Sequence, residues 1–169
     1  MPFCKTRCIY CDFYSTTLGG SRSKLFVEQV LNEAQARKQF LDEIPVKTLY
    51  LGGGTPSQLP STHLCELVEG LHSIFDLSQL TEFTIEMNPE DVTPDYVAEL
   101  PKAINRVSMG VQSFVDNELK VLHRRHNATK PHEAIRLLKA QGISNISIDL
   151  MYGLPNQTLE SFAHSIDQA

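Results

Sequence analysis

Short β-rich runs and helical patterns take turns along this sequence, and that alternation leaves few folds open. Residues 46–51, 81–87, 104–111 and 145–151 are rich in β-branched and aromatic side chains, and each leads into a turn and then a helical stretch. Strand and helix in strict succession predict parallel strands joined by crossover helices. The spacing predicts a first helix over 24–41, with Leu25, Val27, Val30, Leu31 and Ala34 toward a core, after a flexible Leu18-Gly19-Gly20-Ser21 linker. A second begins near Ser61, shows Leu64, Leu67, Val68, Leu71 and Ile74 on one face, and contains Cys65 as a buried small hydrophobe. Thr93-Pro94 caps and opens a short helix to about Leu100. Further helices are expected over 116–122 and 129–142, and Thr158 caps a last one.

Side chains alternate across a strand, so strand parity can be read directly. Phe83, Ile85 and Met87 share one face against Thr84 and Glu86. Val107, Met109 and Val111 oppose Ser108, Gly110 and Gln112, and Ile146, Ile148 and Leu150 oppose Ser147 and Asp149. Parallel strands buried on both sides usually read as continuous apolar runs. A polar inner face therefore points to an open or partial barrel, with helices outside and a ligand-filled lumen. A half-exposed antiparallel sheet would give the same alternation, but the intervening helices disfavour it. In such barrels the site lies at the C-terminal ends of the strands.

Met1-Pro2-Phe3 is too short for a strand, and a loop follows in which Cys4, Cys8 and Cys11 stand in a C-x3-C-x2-C spacing. Three thiolates so placed reach three corners of a cubane iron-sulfur cluster and leave one iron open to a small molecule. Three other readings compete. A structural zinc site needs four closed ligands, the fourth drawn from Cys65 or His63. Cys8-Ile9-Tyr10-Cys11 alone fits a thioredoxin-like pair, which has no use for Cys4. A disulfide framework is the least favoured, because the three cysteines crowd one loop of an otherwise ordinary core-forming chain. After the run 46–51, Gly52-Gly53-Gly54-Thr55-Pro56-Ser57 matches neither a Walker loop nor a G-x-G-x-x-G fingerprint. It is either a plain turn or a place where backbone approaches a ligand closely.

Composition narrows the rest. The 169 residues suit one domain, and 41% hydrophobic content suffices for its core. A net charge of -5, with no basic tract beyond His123-Arg124-Arg125-His126, gives no footprint for nucleic acid. No apolar run approaches a membrane span, and no leader is visible, so a cytoplasmic protein is expected. A reducing compartment also suits thiolates that bind iron. His63, His72, His132 and His164 fall in helical stretches and are read as surface residues.

CKTRCIYC resembles the cluster loop of the radical S-adenosylmethionine (SAM) enzymes. The flanks PFC and CDFYS resemble the coproporphyrinogen III oxidase-like branch, which holds an oxygen-independent coproporphyrinogen dehydrogenase and heme chaperones. One departure matters: those dehydrogenases carry a fourth cysteine two residues after the third, where this chain has Phe13. That draws the reading toward the chaperone members.

The resemblance implies an α/β fold, a partial (β/α)6-type radical SAM barrel. It would be truncated, with the first strand reduced to a stump and the sixth missing. Residues 1–169 would then be an incomplete core domain without the family's C-terminal domain. It implies a [4Fe-4S] cluster on Cys4, Cys8 and Cys11, with SAM chelating the open iron. By similarity, Gly53 and Thr55 with Glu86 take the SAM ammonium, Gly54 between them belongs to the same cofactor-binding turn, and Arg124 takes the carboxylate. Gln112 and Asp149 hold the ribose hydroxyls, and Tyr10 flanks the adenine. The residues alone leave alternatives: Glu86 and Asp149 could pair with inward cations such as Arg106, and Gln112 could serve a turn. Arg124 could belong to a solvated helix end, where spacing does not choose it over Arg125. Reductive cleavage of SAM would yield a 5'-deoxyadenosyl radical, used in the dehydrogenases to decarboxylate porphyrinogen propionates. Heme or a porphyrinogen is the implied ligand, with heme carried as cargo in the chaperones, and a flavodoxin or ferredoxin the implied electron donor.

Overall fold

The computed structural model describes residues 1–17, 19–41 and 44–169. Four strands, β1 (Thr48–Leu51), β2 (Glu82–Met87), β3 (Arg106–Gln112) and β4 (Asn145–Leu150), form one parallel sheet in the order β1-β2-β3-β4. Helices α1 (Gly19–Arg37), α2 (Ser61–Ile74), α3 (Pro94–Ala98), α4 (Asp116–Val121), α5 (Lys130–Ala140) and α6 (Leu159–Asp167) occupy the connections. Among the described residues no helix is long and apolar enough to cross a membrane. The chain therefore has the α/β, partial-barrel architecture that the alternation predicts.

The apolar strand face is the core. Phe83, Ile85, Val107, Met109 and Val111 are fully buried, covered by Leu64 and Leu67 of α2 and by Ala134 and Leu138 of α5. Burying each large side chain contributes about 1.5–3 kcal/mol. On β4 the equivalent residues Ile146, Ile148 and Leu150 are only partly buried, because β4 ends the strand order. The opposite face is polar, and its lower end is closed by Arg106. That guanidinium donates to Thr84 Oγ1 at 3.1 Å and to Ser147 Oγ at 3.0 Å, and lies 3.8 Å from Glu82.

The N-terminal segment lies beside the turn after β1. Phe3 forms an isolated parallel bridge with Thr16, and its carbonyl accepts the Thr55 N–H at 2.7 Å. Gly54 also donates to the Met1 carbonyl. This fastens the cysteine loop to the turn after β1. Glycine is required there, since a Cβ on Gly54 would sit 2.9 Å from the Phe3 carbonyl oxygen and 3.1 Å from Cys4 Sγ.

Several local expectations need correction. Residues 19–21 are the first turn of α1 and not a linker, while Leu18 lies outside the described residues. The α-helix stops at Arg37, and a 3-10 turn, Lys38–Leu41, replaces its predicted end. Leu25 is 57% exposed, whereas Ser23 and Val27 are buried. At 3.6 residues per turn, Leu25 and Val27 point to nearly opposite sides of the helix. Cys65 is only half-buried, with Sγ 3.7 Å from the Glu99 carbonyl. His63 is half-buried too, bonded to Ser23 Oγ at 2.9 Å, and so belongs to the packing of α1 on α2.

Behind the tip of β3 a polar cluster ties α4 to α6. The buried Glu118 carboxylate accepts from Ser113 Oγ at 2.6 Å, Ser161 Oγ at 2.6 Å and Gln157 Nε2 at 3.0 Å. Ser165 Oγ, buried in α6, accepts the Phe114 N–H at 3.1 Å. Thr158 and Ser161 form a reciprocal capping box that starts α6.

Candidate functional site

At the C-terminal ends of the strands the polar face opens into a cavity. Cys4, Cys8, Tyr10 and Cys11 enter it from the N-terminal loop, and Gly53, Gly54 and Thr55 from the turn after β1. Glu86 comes from β2, Gln112 from the end of β3, Arg124 from the loop after α4, and Asp149 from β4. Residues that parity and spacing singled out separately thus line one space.

The carboxylate of Glu86 is held by two donors, Tyr50 OH at 2.7 Å and the Gly53 N–H at 3.0 Å. Gly53 adopts φ +117°, a conformation open to glycine, and this aims its N–H at Glu86. Neither Glu86 nor Asp149 pairs with Arg106, whose partners lie at the other end of the polar face. Partial burial of Tyr50, together with the Glu86 carboxylate beside it, raises the phenol pKa.

The end of β3 is irregular. The pairing with β4 shifts between Gly110 and Gln112, and Gln112 has φ +71°. A bulge of this kind re-aims a side chain at a strand end, and here the amide of Gln112 faces the cavity.

Arg124 enters the site because of the way α4 ends. His123 takes the left-handed conformation, φ +56°, and its N–H donates to Lys120 O at 3.1 Å, while the Arg124 N–H donates to Leu119 O at 2.9 Å. This pair of bonds is a Schellman motif. It turns Arg124 inward and leaves Arg125 to pair with Glu90 at 3.6 Å and Asp91 at 3.9 Å. The Arg124 guanidinium donates through Nη2 to Asn88 Oδ1 at 2.7 Å and to Gly110 O at 2.6 Å. Through Nη1 it reaches Tyr10 OH at 3.4 Å and Cys8 Sγ at 3.6 Å. Burial works against this charge, but Tyr10, Glu90 and the Cys8 thiol more than offset it, and the pKa rises above the ordinary arginine value. The Tyr10 phenol is pushed up to about 12, chiefly by burial, with the Cys8 thiol adding to it against the opposing pull of Arg124.

Asn88 and the Gly110 carbonyl were missed by sequence reasoning. Asn88 Nδ2 donates to Thr55 Oγ1 at 3.3 Å, and Thr55 Oγ1 lies 3.4 Å from Cys4 Sγ. A polar chain therefore runs from Cys8 through Arg124, Asn88 and Thr55 to Cys4. The signal was present in parity, because Asn88 continues the alternation of Thr84 and Glu86 one step past the strand.

The donor set fits an iron-sulfur cluster held by three cysteines. All four cysteines are free, and three of them line this cavity from one short loop. The zinc reading fails, because Cys65 is bonded to the Glu99 carbonyl and His63 to Ser23, both away from the cavity. Among the described residues no three His, Cys, Asp or Glu side chains converge on a single ion.

A parallel α/β half-barrel with three loop thiols facing its strand tips defines a class, and the chain belongs to it: the radical SAM superfamily, whose family model matches residues 1–169. Membership implies SAM and a [4Fe-4S] cluster as the cofactors. The heme chaperone HemW of Lactococcus lactis is 36% identical over 99% of this chain and 44% of its own length. HemW of Escherichia coli is 36% identical over 100% of this chain and 45% of its own length. Among solved structures, coproporphyrinogen III oxidase (HemN) of E. coli, described as a radical SAM enzyme, superposes with a TM-score of 0.87 and 27% identity. That match covers 99% of this chain and 39% of the HemN chain. The chain thus spans less than half the length of the curated relatives it matches.

Proposed function

We propose that this chain is the cofactor-binding core of a heme-chaperone-type radical SAM protein. One observation carries the proposal: Cys4, Cys8 and Cys11 share a single cavity with Glu86, Gln112, Arg124 and Asp149, each from a different strand end or loop. The 36% identity to the HemW chaperones and the presence of Phe13, where a fourth cysteine would mark the dehydrogenases, favour heme as the ligand.

When bound, the cluster and SAM together supply a one-electron cleavage of a carbon-sulfur bond. The chain's own residues bind, orient and shield. Glu86, already oriented by Tyr50 and Gly53, would accept from the SAM ammonium beside the Gly53-Gly54-Thr55 backbone. Arg124, anchored through Nη2 on Asn88 and Gly110, would take the carboxylate. Gln112 and Asp149, which line the same cavity, would receive the ribose hydroxyls, and the Tyr10 ring would flank the adenine. The site works in a reducing, cytoplasmic setting, with a flavodoxin or ferredoxin as electron donor.

A second reading, oxygen-independent coproporphyrinogen III oxidation, is favoured by the close superposition on HemN. Incubating the cluster-loaded protein anaerobically with heme and, separately, with coproporphyrinogen III decides between them. A shifted Soret band without conversion of coproporphyrinogen supports the chaperone reading. Formation of protoporphyrinogen overturns it.

A further inference from the structure

Arg124 joins the strand tips to a cysteine of the proposed cluster. Its Nη2 is fixed by two short bonds, to Asn88 Oδ1 at 2.7 Å and Gly110 O at 2.6 Å. Asn88 is itself held by Thr55 and Ser57. This anchoring uses strand-tip groups alone, so the position of Nη1, 3.6 Å from Cys8 Sγ, is set by the protein before any cosubstrate arrives. Nε of the same guanidinium is buried without a partner. The group is therefore held by its two ends against Cys8, and not by its stem.

We infer that Arg124 tunes the cluster: its Nη1–H donates to the Cys8 thiolate and raises the reduction potential of the [4Fe-4S] centre. The inference rests on the proposed cluster and deepens that reading. Reduction takes one electron from an external donor into the cluster, breaks no bond, and leaves cluster plus thiolates one unit more negative. A buried cation and an N–H donor at a ligand sulfur stabilise the reduced state more than the oxidised one. Lysine could keep the charge, but its compact ammonium cannot span Asn88, Gly110 and Cys8 together. Arg124 is thus a positioning and tuning residue toward the cluster, in addition to its proposed contact with the SAM carboxylate.

The test is a redox titration of the cluster-reconstituted protein, poised with dithionite and mediators and followed by electron paramagnetic resonance. SAM is left out, so any role toward its carboxylate drops away. Arg124→Gln is expected to move the midpoint to a more negative potential, and Arg124→Lys to move it the same way by less. A Gln variant with the parent's iron content and the parent's midpoint overturns the inference. Where the Gln variant does not fold, an unchanged midpoint in Arg124→Lys overturns it equally. A parent protein that takes up no iron refutes the cluster assignment and the inference with it, a failure visible in iron analysis before any potential is read.

Discussion

His126 and Glu90 meet in the interior, with Nδ1 of the imidazole 3.1 Å from a carboxylate oxygen of Glu90. On its other side Nε2 lies 3.1 Å from the Val111 carbonyl oxygen. Both neighbours are oxygen acceptors, and the buried ring bridges them. Burial pushes the Glu90 pKa up, but the His126 bond and the nearby Arg124 charge outweigh it and hold the carboxyl below its ordinary value. The pair clamps the loop that carries Arg124 to β3 and to the turn after β2.

Replacing His126 by Ala removes both bonds and leaves Glu90 short of a donor. The expected loss is about 1–3 kcal/mol of stability, read from chemical denaturation. SAM affinity should fall with it, because Arg124 sits two residues away on the loop that the clamp holds. Unaltered SAM binding in a destabilised variant would show that the loop is fixed by other contacts.

Glu118 gives a pH signature. Burial raises its pKa, yet the donors Ser113, Ser161 and Gln157 more than offset this, and the folded value lies below the ordinary 4.5. A depressed carboxyl stabilises the fold fully above its unfolded pKa, and that stability is lost as pH falls through the folded value. The parent should therefore lose stability on acidification below about pH 4.5. Glu118→Gln should be less stable at neutral pH and show a flatter acid limb in thermal melts across that range.

Gly54 carries the cysteine segment. In Gly54→Ala the new methyl meets the Phe3 carbonyl and Cys4 Sγ inside ordinary contact distance. The core strands are untouched, so the far-ultraviolet circular dichroism should persist while reconstituted iron content drops. Full iron uptake by this variant would contradict the close packing of the two segments.

Glu86→Gln keeps the volume, but its single amide oxygen can accept from only one of Tyr50 and Gly53, and it removes the charge proposed to meet the SAM ammonium. A charge-assisted bond contributes about 1.5–3 kcal/mol. SAM affinity should accordingly weaken about tenfold or more, while cluster content stays at the parent's level.

Period-two parity made much of this legible in the sequence, because a strand has only two faces and the apolar one must be covered. Phe83, Ile85, Val107 and Met109 fell to the core on that ground, and Glu86 and Gln112 to the other side. Parity did not show that the strand registry slips at Gly110 or that Gln112 turns to φ +71°, since a bulge leaves the residue pattern unchanged. The choice between Arg124 and Arg125 was illegible in spacing. It depends on His123 adopting a conformation usually given to glycine or asparagine at a helix end. Leu25 misled because it was grouped with Val27, although at 3.6 residues per turn positions two apart cannot share the stripe that faces α2.

Anaerobic iron and sulfide analysis with electron paramagnetic resonance, before and after adding SAM, tests the central claim most directly. Iron near four per chain, a reduced-cluster signal that changes shape with SAM, and loss of both in Cys8→Ala are predicted. A protein without iron, or a cluster signal that survives Cys8→Ala and ignores SAM, would contradict the account.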